Sequence, residues 1–400
     1  MRDYLNKSLF LNLLFSNLMW LNLIFSQTPL GTGNPVFYSP SSVIPFRMEG
    51  HKIYLKVKVD HYSRPLSFIL DTGAFTSISD QTRELLDMTR GSSLLPSGQI
   101  SHAHFLKEPV TLQLGDMAVE QFRLVSMDYT HYYTADPDFH GFLGSDFLKF
   151  FYVKIDYGRK EVTLSRKPFP VRESSRTFRI PLDTRNAAYL PRMDCQVDQR
   201  WNWSGLIDTG APFGVIFPMA ALDNQRRSQA PLIASEGLFA SWPTSSLDKN
   251  YLSRVSVLRI GKFELRDFPV IFSNTEDIIL GEEFLSHFDI YLHYPDNELI
   301  LVQQTSLNWK DNFFSSGINL GKDSRNKTVV EGIWEGSPAA RAGIPLQAEV
   351  ISINWQPASR LSIKELNRIL NDDRTITIEL VLREGYREKS YTLKKETLLP

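Results

Sequence analysis

The sequence predicts a mainly β protein: two similar, pseudo-symmetric β-rich lobes followed by a small α+β domain. Three observations predict it. Short alternating runs such as Ile53-Tyr54-Leu55-Lys56-Val57-Lys58-Val59 recur while helical heptads are rare, which favours strands. Two motifs repeat together at one fixed separation, which implies two related units. Beyond about Trp309 the pattern changes to strand signals around a helix signal.

The chain has 400 residues, too many for one ordinary core, so several modules are expected. It opens with Met1-Arg2-Asp3-Tyr4-Leu5-Asn6-Lys7 and an apolar run from Leu9 to Phe25, the charge-then-apolar order of a secretion signal. Ser26 supplies a small residue before a cleavage point. The alternative is a retained membrane anchor, since the run is nearly long enough to span a bilayer. Asn12, Asn17 and Asn22 interrupt it, however, and hydrocarbon would leave their amides unsatisfied. The remainder is expected on the far side of the membrane, periplasmic or secreted, with membrane attachment only through residues 1–26. Residues 27–44 read as a leader, 45–172 and 173–308 as the two lobes, and 309–400 as the C-terminal domain.

Lys plus Arg number 44 against 45 Asp plus Glu, so no electrostatic footprint for nucleic acid exists and that partner class is set aside. Cys195 is the only cysteine, which excludes an internal disulfide and any cysteine-built metal site. No cofactor is expected.

The repeat carries the chemistry. Phe68-Ile69-Leu70-Asp71-Thr72-Gly73-Ala74 is matched by Gly205-Leu206-Ile207-Asp208-Thr209-Gly210-Ala211, and the two aspartates are 137 positions apart. Gly141-Phe142-Leu143-Gly144-Ser145-Asp146-Phe147-Leu148 is matched by Ile278-Ile279-Leu280-Gly281-Glu282-Glu283-Phe284-Leu285 at the same offset of 137. Phe151, Val153, Ile155 and Tyr157 then align with Phe288, Ile290, Leu292 and Tyr294, each set alternating like a half-buried strand. One Asp-Thr-Gly corner is only a turn. Two of them related by a pseudo-twofold axis bring two carboxyl groups together, and like charges that close share a proton. Such a pair can activate a water: one carboxylate accepts its proton while the protonated partner donates to the developing oxyanion.

Both lobes resemble the retropepsin and pepsin clan of aspartic peptidases over roughly residues 45 to 305, giving retropepsin-like β-barrel lobes. The resemblance implies Asp71 and Asp208 as the catalytic dyad, Thr72, Gly73, Thr209 and Gly210 as loop support, and Gly144 and Gly281 in the segments that thread beside the loops. One chain supplies both halves, as in pepsins, so a monomer is expected to be active on polypeptide substrate. Pro212 after the second Asp-Thr-Gly-Ala departs from the pattern. Ala74 and Ala211 stand where many pepsin-like enzymes carry a hydroxyl residue, which implies a dyad working at milder acidity. Flap hairpins are expected at Gly91 to Lys107 and at Ser235 to Leu247.

Gly336-Ser337-Pro338-Ala339-Ala340-Arg341-Ala342-Gly343, followed by Val350-Ile351-Ser352-Ile353-Asn354, resembles a bacterial PDZ domain, with Ala348-Glu349 in place of the usual Gly-Asp. Ser362 to Leu370 reads as an amphipathic helix with Ser362 as N-cap, and Ile376 to Leu382 and Ser390 to Leu393 read as strands. The resemblance implies peptide capture at Ser316, Gly317, Ile318, Asn319 and Leu320, with a peptide C-terminus as partner. Docking there is expected to aid processing of larger substrates and to leave short-peptide hydrolysis to the lobes. Packing against the peptidase body alone is the alternative for this domain. For the whole chain, the alternative is a scaffold that binds peptide without turnover.

His102 and His104 alternate as strand neighbours without a carboxylate at ligand spacing, which favours a surface or flap role. Asp146 and Glu283 hold equivalent positions, where orienting the supporting segment and a catalytic part both stand open.

Overall fold

The structure, a computed structural model, describes residues 30–49, 51–60, 62–93, 103–129, 138–223, 230–237, 239, 249–304, 313–323, 325–372 and 374–399. The secretion-signal segment and His102 lie outside the described residues. Strands dominate and the sheets curl into barrel-like layers, so the mainly β class holds.

The repeated motifs occupy equivalent strands. In the first half, Leu66–Asp71 runs parallel to Gly141–Gly144, which is antiparallel to Ser77–Ser79. In the second half, Trp201–Ile207 runs parallel to Ile278–Leu280, which is antiparallel to Val215–Pro218. Phe68 pairs with Gly141 and Gly205 with Ile278, so the register itself repeats. Leu66 to Leu70, Gly141 to Gly144 and Ile278 to Leu280 are buried throughout. That burial explains why these segments read as continuous apolar runs rather than alternations.

A six-stranded antiparallel sheet joins the halves. Its order is Thr177–Pro181, Glu298–Gln303, Phe288–His293, Tyr152–Asp156, Glu161–Ser165, Ser41–Pro45. The seam lies between Tyr152–Asp156 and Phe288–His293, with Ile155 opposite Ile290. Val153, Ile155, Ile290 and Leu292 are fully buried on one face, so a single apolar core runs through both halves. The alternation seen in these segments is the signature of that face; their pairing with each other was not legible.

Residues 27–44 are corrected from leader to framework as far as they are described. Asn34–Phe37 pairs with Met117–Phe122, and Ser41–Pro45 forms one edge of the six-stranded sheet. Burial of Leu30 and Ile44 holds the segment there.

The C-terminal segment has its own apolar core, including Leu320, Val330, Ile353, Leu366 and Leu380. The expected helix is Ile363–Asn371, with Ser362 as N-cap in a reciprocal capping box with Glu365. The expected strands are Thr377–Glu384 and Arg387–Lys394. A short helix, Pro338–Arg341, is capped by Ser337. Before Ala348-Glu349, Gln347 supplies the left-handed turn residue at φ 63°.

This segment is not an appendage. Leu232–Gly237 of the second half pairs with Tyr251–Ile260 on one side and with Thr328–Trp334 on the other, Ser235 facing Trp334 and Gly237 facing Gly332. Phe239 stacks on Trp334 at 4.1 Å between centroids. Trp334, Leu398 and Leu399 are buried together with Leu252 and Ile271, and Phe213 packs against them. Of the second flap expected at Ser235 to Leu247, the described start belongs to the antiparallel pair of Leu232–Gly237 and Tyr251–Ile260, bound on its other side to the C-terminal segment, and residues 240–247 lie outside the described residues.

Candidate active site

Each motif puts its aspartate where an apolar strand ends. Asp71 closes the strand Leu66–Asp71, and Asp208 follows Trp201–Ile207 with its backbone N–H donating to Leu280 O at 3.0 Å. The loops then cross. Thr72 Oγ1 donates to Ile207 O at 2.7 Å and Thr209 Oγ1 donates to Leu70 O at 2.9 Å, each threonine reaching into the opposite half.

The glycines explain why no side chain follows the threonines. A Cβ on Gly73 would stand 2.4 Å from Asp208 Cγ, and one on Gly210 would stand 2.4 Å from Asp71 Cγ. Each carboxyl group therefore lies against the backbone of the opposite loop, which brings the two carboxyl groups to one place.

Donors are shared unequally. Asp71 Oδ1 accepts from Gly73 N at 3.0 Å, whereas Asp208 Oδ1 accepts from Gly210 N at 2.9 Å and Ala211 N at 3.1 Å. Burial raises both carboxyl groups above the usual range. Asp71 rises well above it because the charge of Asp208 and their mutual hydrogen bond add to burial, against the Gly73 amide and the charge of Lys52. For Asp208 the amides of Gly210, Ala211 and Gly73 and the bond from Asp71 oppose burial. Both groups are raised as a pair, and the second amide donor on Asp208 favours its charged form over that of Asp71.

Gly144 and Gly281 sit where the later segments press on the loops. A Cβ there would meet Ala74 O at 2.4 Å and Phe213 O at 2.1 Å. Ser145 N donates to Ala74 O at 2.9 Å and Glu282 N to Ala211 O at 2.7 Å, clasping each loop from below. Asp146 orients rather than reacts: its Oδ1 accepts from Thr76 N at 2.7 Å and Thr76 Oγ1 at 2.6 Å, and burial pushes its carboxyl group up to about 6. Glu283, its counterpart, is exposed.

Several residues escaped sequence reasoning. Ser145 Oγ donates to Thr72 O at 2.7 Å and bonds the Tyr294 hydroxyl at 2.7 Å. The repeat had aligned Tyr157 with Tyr294, which was the available signal, but not where their hydroxyls would point. His51, Lys52 and Glu282 also reach the site, and nothing local in the sequence marks them.

The first flap region forms an antiparallel hairpin of Arg90–Ser93 and Ala103–Leu106, with its tip outside the described residues. His104 pairs in register with Ser126 and with Ser93.

In the C-terminal segment, Ile318–Lys322 pairs with Thr328–Trp334 along one edge. Among the described residues no strand occupies its other edge, beside which Ile363–Asn371 lies. Ser316 is buried and its carbonyl accepts from Ala339 N at 3.0 Å. Gly317, at φ 79°, already spends its N–H on Ser315 Oγ at 3.0 Å.

Among the described residues no helix is long and apolar enough to cross a membrane. Compared with known proteins, the chain matches no family model, and no curated protein matches it.

Proposed function

We propose that the protein is an aspartic endopeptidase built from two retropepsin-like lobes in one chain, with a PDZ-like domain at its C-terminus. The observation that carries this reading is the pairing of Asp71 and Asp208, each carboxyl group seated against the glycine of the opposite loop. Water held between them loses a proton to the Asp208 carboxylate as its oxygen attacks the peptide carbonyl carbon. Asp71 gives its proton to the carbonyl oxygen, yielding a tetrahedral diol. When the C–N bond breaks, Asp208 passes its proton to the departing nitrogen and Asp71 regains one from the diol. The substrate is an extended polypeptide, for which the hairpin of Arg90–Ser93 and Ala103–Leu106 is the candidate flap.

The open edge of Ile318–Lys322 beside Ile363–Asn371 supports peptide docking at Ser316 to Leu320. The N-terminal segment supports export to the periplasm or beyond.

Asp71→Asn and Asp208→Asn keep the shape and remove the shared proton. Purified, each is expected to stay folded by circular dichroism and to cleave no peptide. Cleavage by either variant overturns the dyad; a wild type that binds peptides without cutting them makes the protein a scaffold instead.

A further inference from the structure

The two catalytic loops are propped by different chemistry. Under the first stand two hydroxyls, Ser145 and Tyr294, and burial holds the Tyr294 phenol protonated. The equivalent place under the second loop holds Glu282, whose side chain is only 5% exposed. Its backbone N–H donates to Ala211 O, and Ala211 N in turn donates to Asp208 Oδ1, so Glu282 is one residue removed from a catalytic carboxylate.

Glu282 Oε2 lies 2.7 Å from Nδ1 of His51, and His51 belongs to the other half. It stands at the turn between Arg47–Glu49 and Lys52–Val59, at φ 64°, with its side chain 54% exposed. The next residue, Lys52, lies near enough for its charge to pull against the raised pKa of Asp71. Among the described residues, His287 and Tyr157 also feel the Glu282 charge. Burial lowers His287 while the Glu282 charge raises it. Burial, then the charges of Glu282 and Asp208, push the Tyr157 hydroxyl well up. The ion pair of Glu282 among the described residues is the one with His51, at 2.7 Å.

We propose that His51 and Glu282 are positioning residues: their ion pair fastens the first-half hairpin to the second catalytic loop and so holds the Ala211 amide that serves Asp208 in place. The proposal rests on the dyad reading above. A buried carboxylate stripped of its counter-ion is costly, whereas a neutral imidazole offers at most one hydrogen bond and no charge. The fastening therefore weakens as His51 loses its proton, and the support under the second loop becomes sensitive to pH.

The test follows kcat and KM on a short peptide against pH for wild type, His51→Gln and His51→Arg. Nuclear magnetic resonance follows the His51 ring titration in wild type and Glu282→Gln. His51→Gln should lower kcat roughly ten- to a hundredfold across the range with KM little changed, the size expected when a reacting group is slightly misplaced. His51→Arg, a permanent cation, should recover most of kcat and extend activity toward alkaline pH. Glu282→Gln should make His51 titrate at lower pH. Equal impairment of His51→Arg and His51→Gln, or an unchanged His51 titration, overturns the proposal. If wild type cleaves nothing, the dyad reading falls on its own, and the titration difference still decides whether the pair exists.

Discussion

Thr72 and Thr209 exchange hydrogen bonds between the two halves: the hydroxyl oxygen of each accepts the backbone N–H of the other at 3.1 Å. Both are fully buried, and each hydroxyl also donates to a carbonyl of the opposite half. The spacing of the loops, and with it that of Asp71 and Asp208, is fixed by four bonds that water cannot reach.

Replacing Thr72 by Val keeps the shape but strands Thr209 N and Ile207 O. At about 1–3 kcal/mol per buried unsatisfied group, a loss of at least 2 kcal/mol is expected in urea unfolding. Thr72→Ser, which keeps the hydroxyl, should cost less than half as much. Equal costs for the two substitutions would show that the hydroxyl is not what holds the loops.

Gly73→Ala and Gly210→Ala each drive a methyl group into the opposite carboxyl group, at 2.4 Å from its Cγ. The carboxyl groups must part, and misplacement of that order costs roughly a hundredfold in rate. Peptide turnover by the folded variants measures it. Activity within a few-fold of wild type would mean the two loops do not meet in solution as they do here.

Removal of everything after Ser306 should impair short peptides as well as large substrates, against the expectation drawn from the sequence. The cut uncovers Leu252 and Ile271 and takes Trp334, Leu398 and Leu399 from Phe213, which also packs on Ala211 of the second Asp-Thr-Gly loop. Trp334→Ala alone should cost about 3–5 kcal/mol of stability. Thermal melts and a short-peptide assay decide it; an unimpaired truncated enzyme would return the domain to the role of an independent attachment point.

The working pH should respond to hydroxyls added beside the dyad. Both carboxyl groups are raised by burial, so the singly protonated pair persists toward milder acidity, and a new donor to a carboxylate moves the window back down. Ala211 N already serves Asp208, while Ala74 N donates to the Asp71 carbonyl at 3.3 Å. Ala74→Ser should therefore shift the bell-shaped profile to lower pH more than Ala211→Ser. A double variant whose profile does not move would leave burial alone to set the range.

Asp146 gives a pH effect on stability rather than rate. Its folded pKa of about 6 exceeds the ordinary value, so between about pH 4 and 6 the folded state holds a proton the unfolded chain has lost, and stability falls as pH rises. The difference amounts to about 3 kcal/mol. Asp146→Asn should flatten that slope in denaturation curves taken across the window; an unaltered slope would place the titration elsewhere.

The candidate site was legible because its parts are local. Asp71-Thr72-Gly73 and Asp208-Thr209-Gly210 each lie at the end of one apolar run, and their common offset survives any arrangement of the chain between them. The C-terminal helix was legible for the same reason, since Ser362 and Glu365 sit within one turn. Ile155 and Ile290 were each readable as inward-facing residues, but that they face each other was not.

The sequence by itself determined the mainly β class, the duplicated motif, the aspartates and the helix cap, because apolar periodicity and turn chemistry act within a few residues. Only the tertiary structure decided that residues 34–45 are framework, that the second half and the C-terminal segment share one sheet, and that His51 answers Glu282. Each of these is a contact between residues far apart in the chain. Such contacts are selected by burying both faces of a sheet and by compensating a buried charge, and neither demand leaves a mark on the neighbouring sequence.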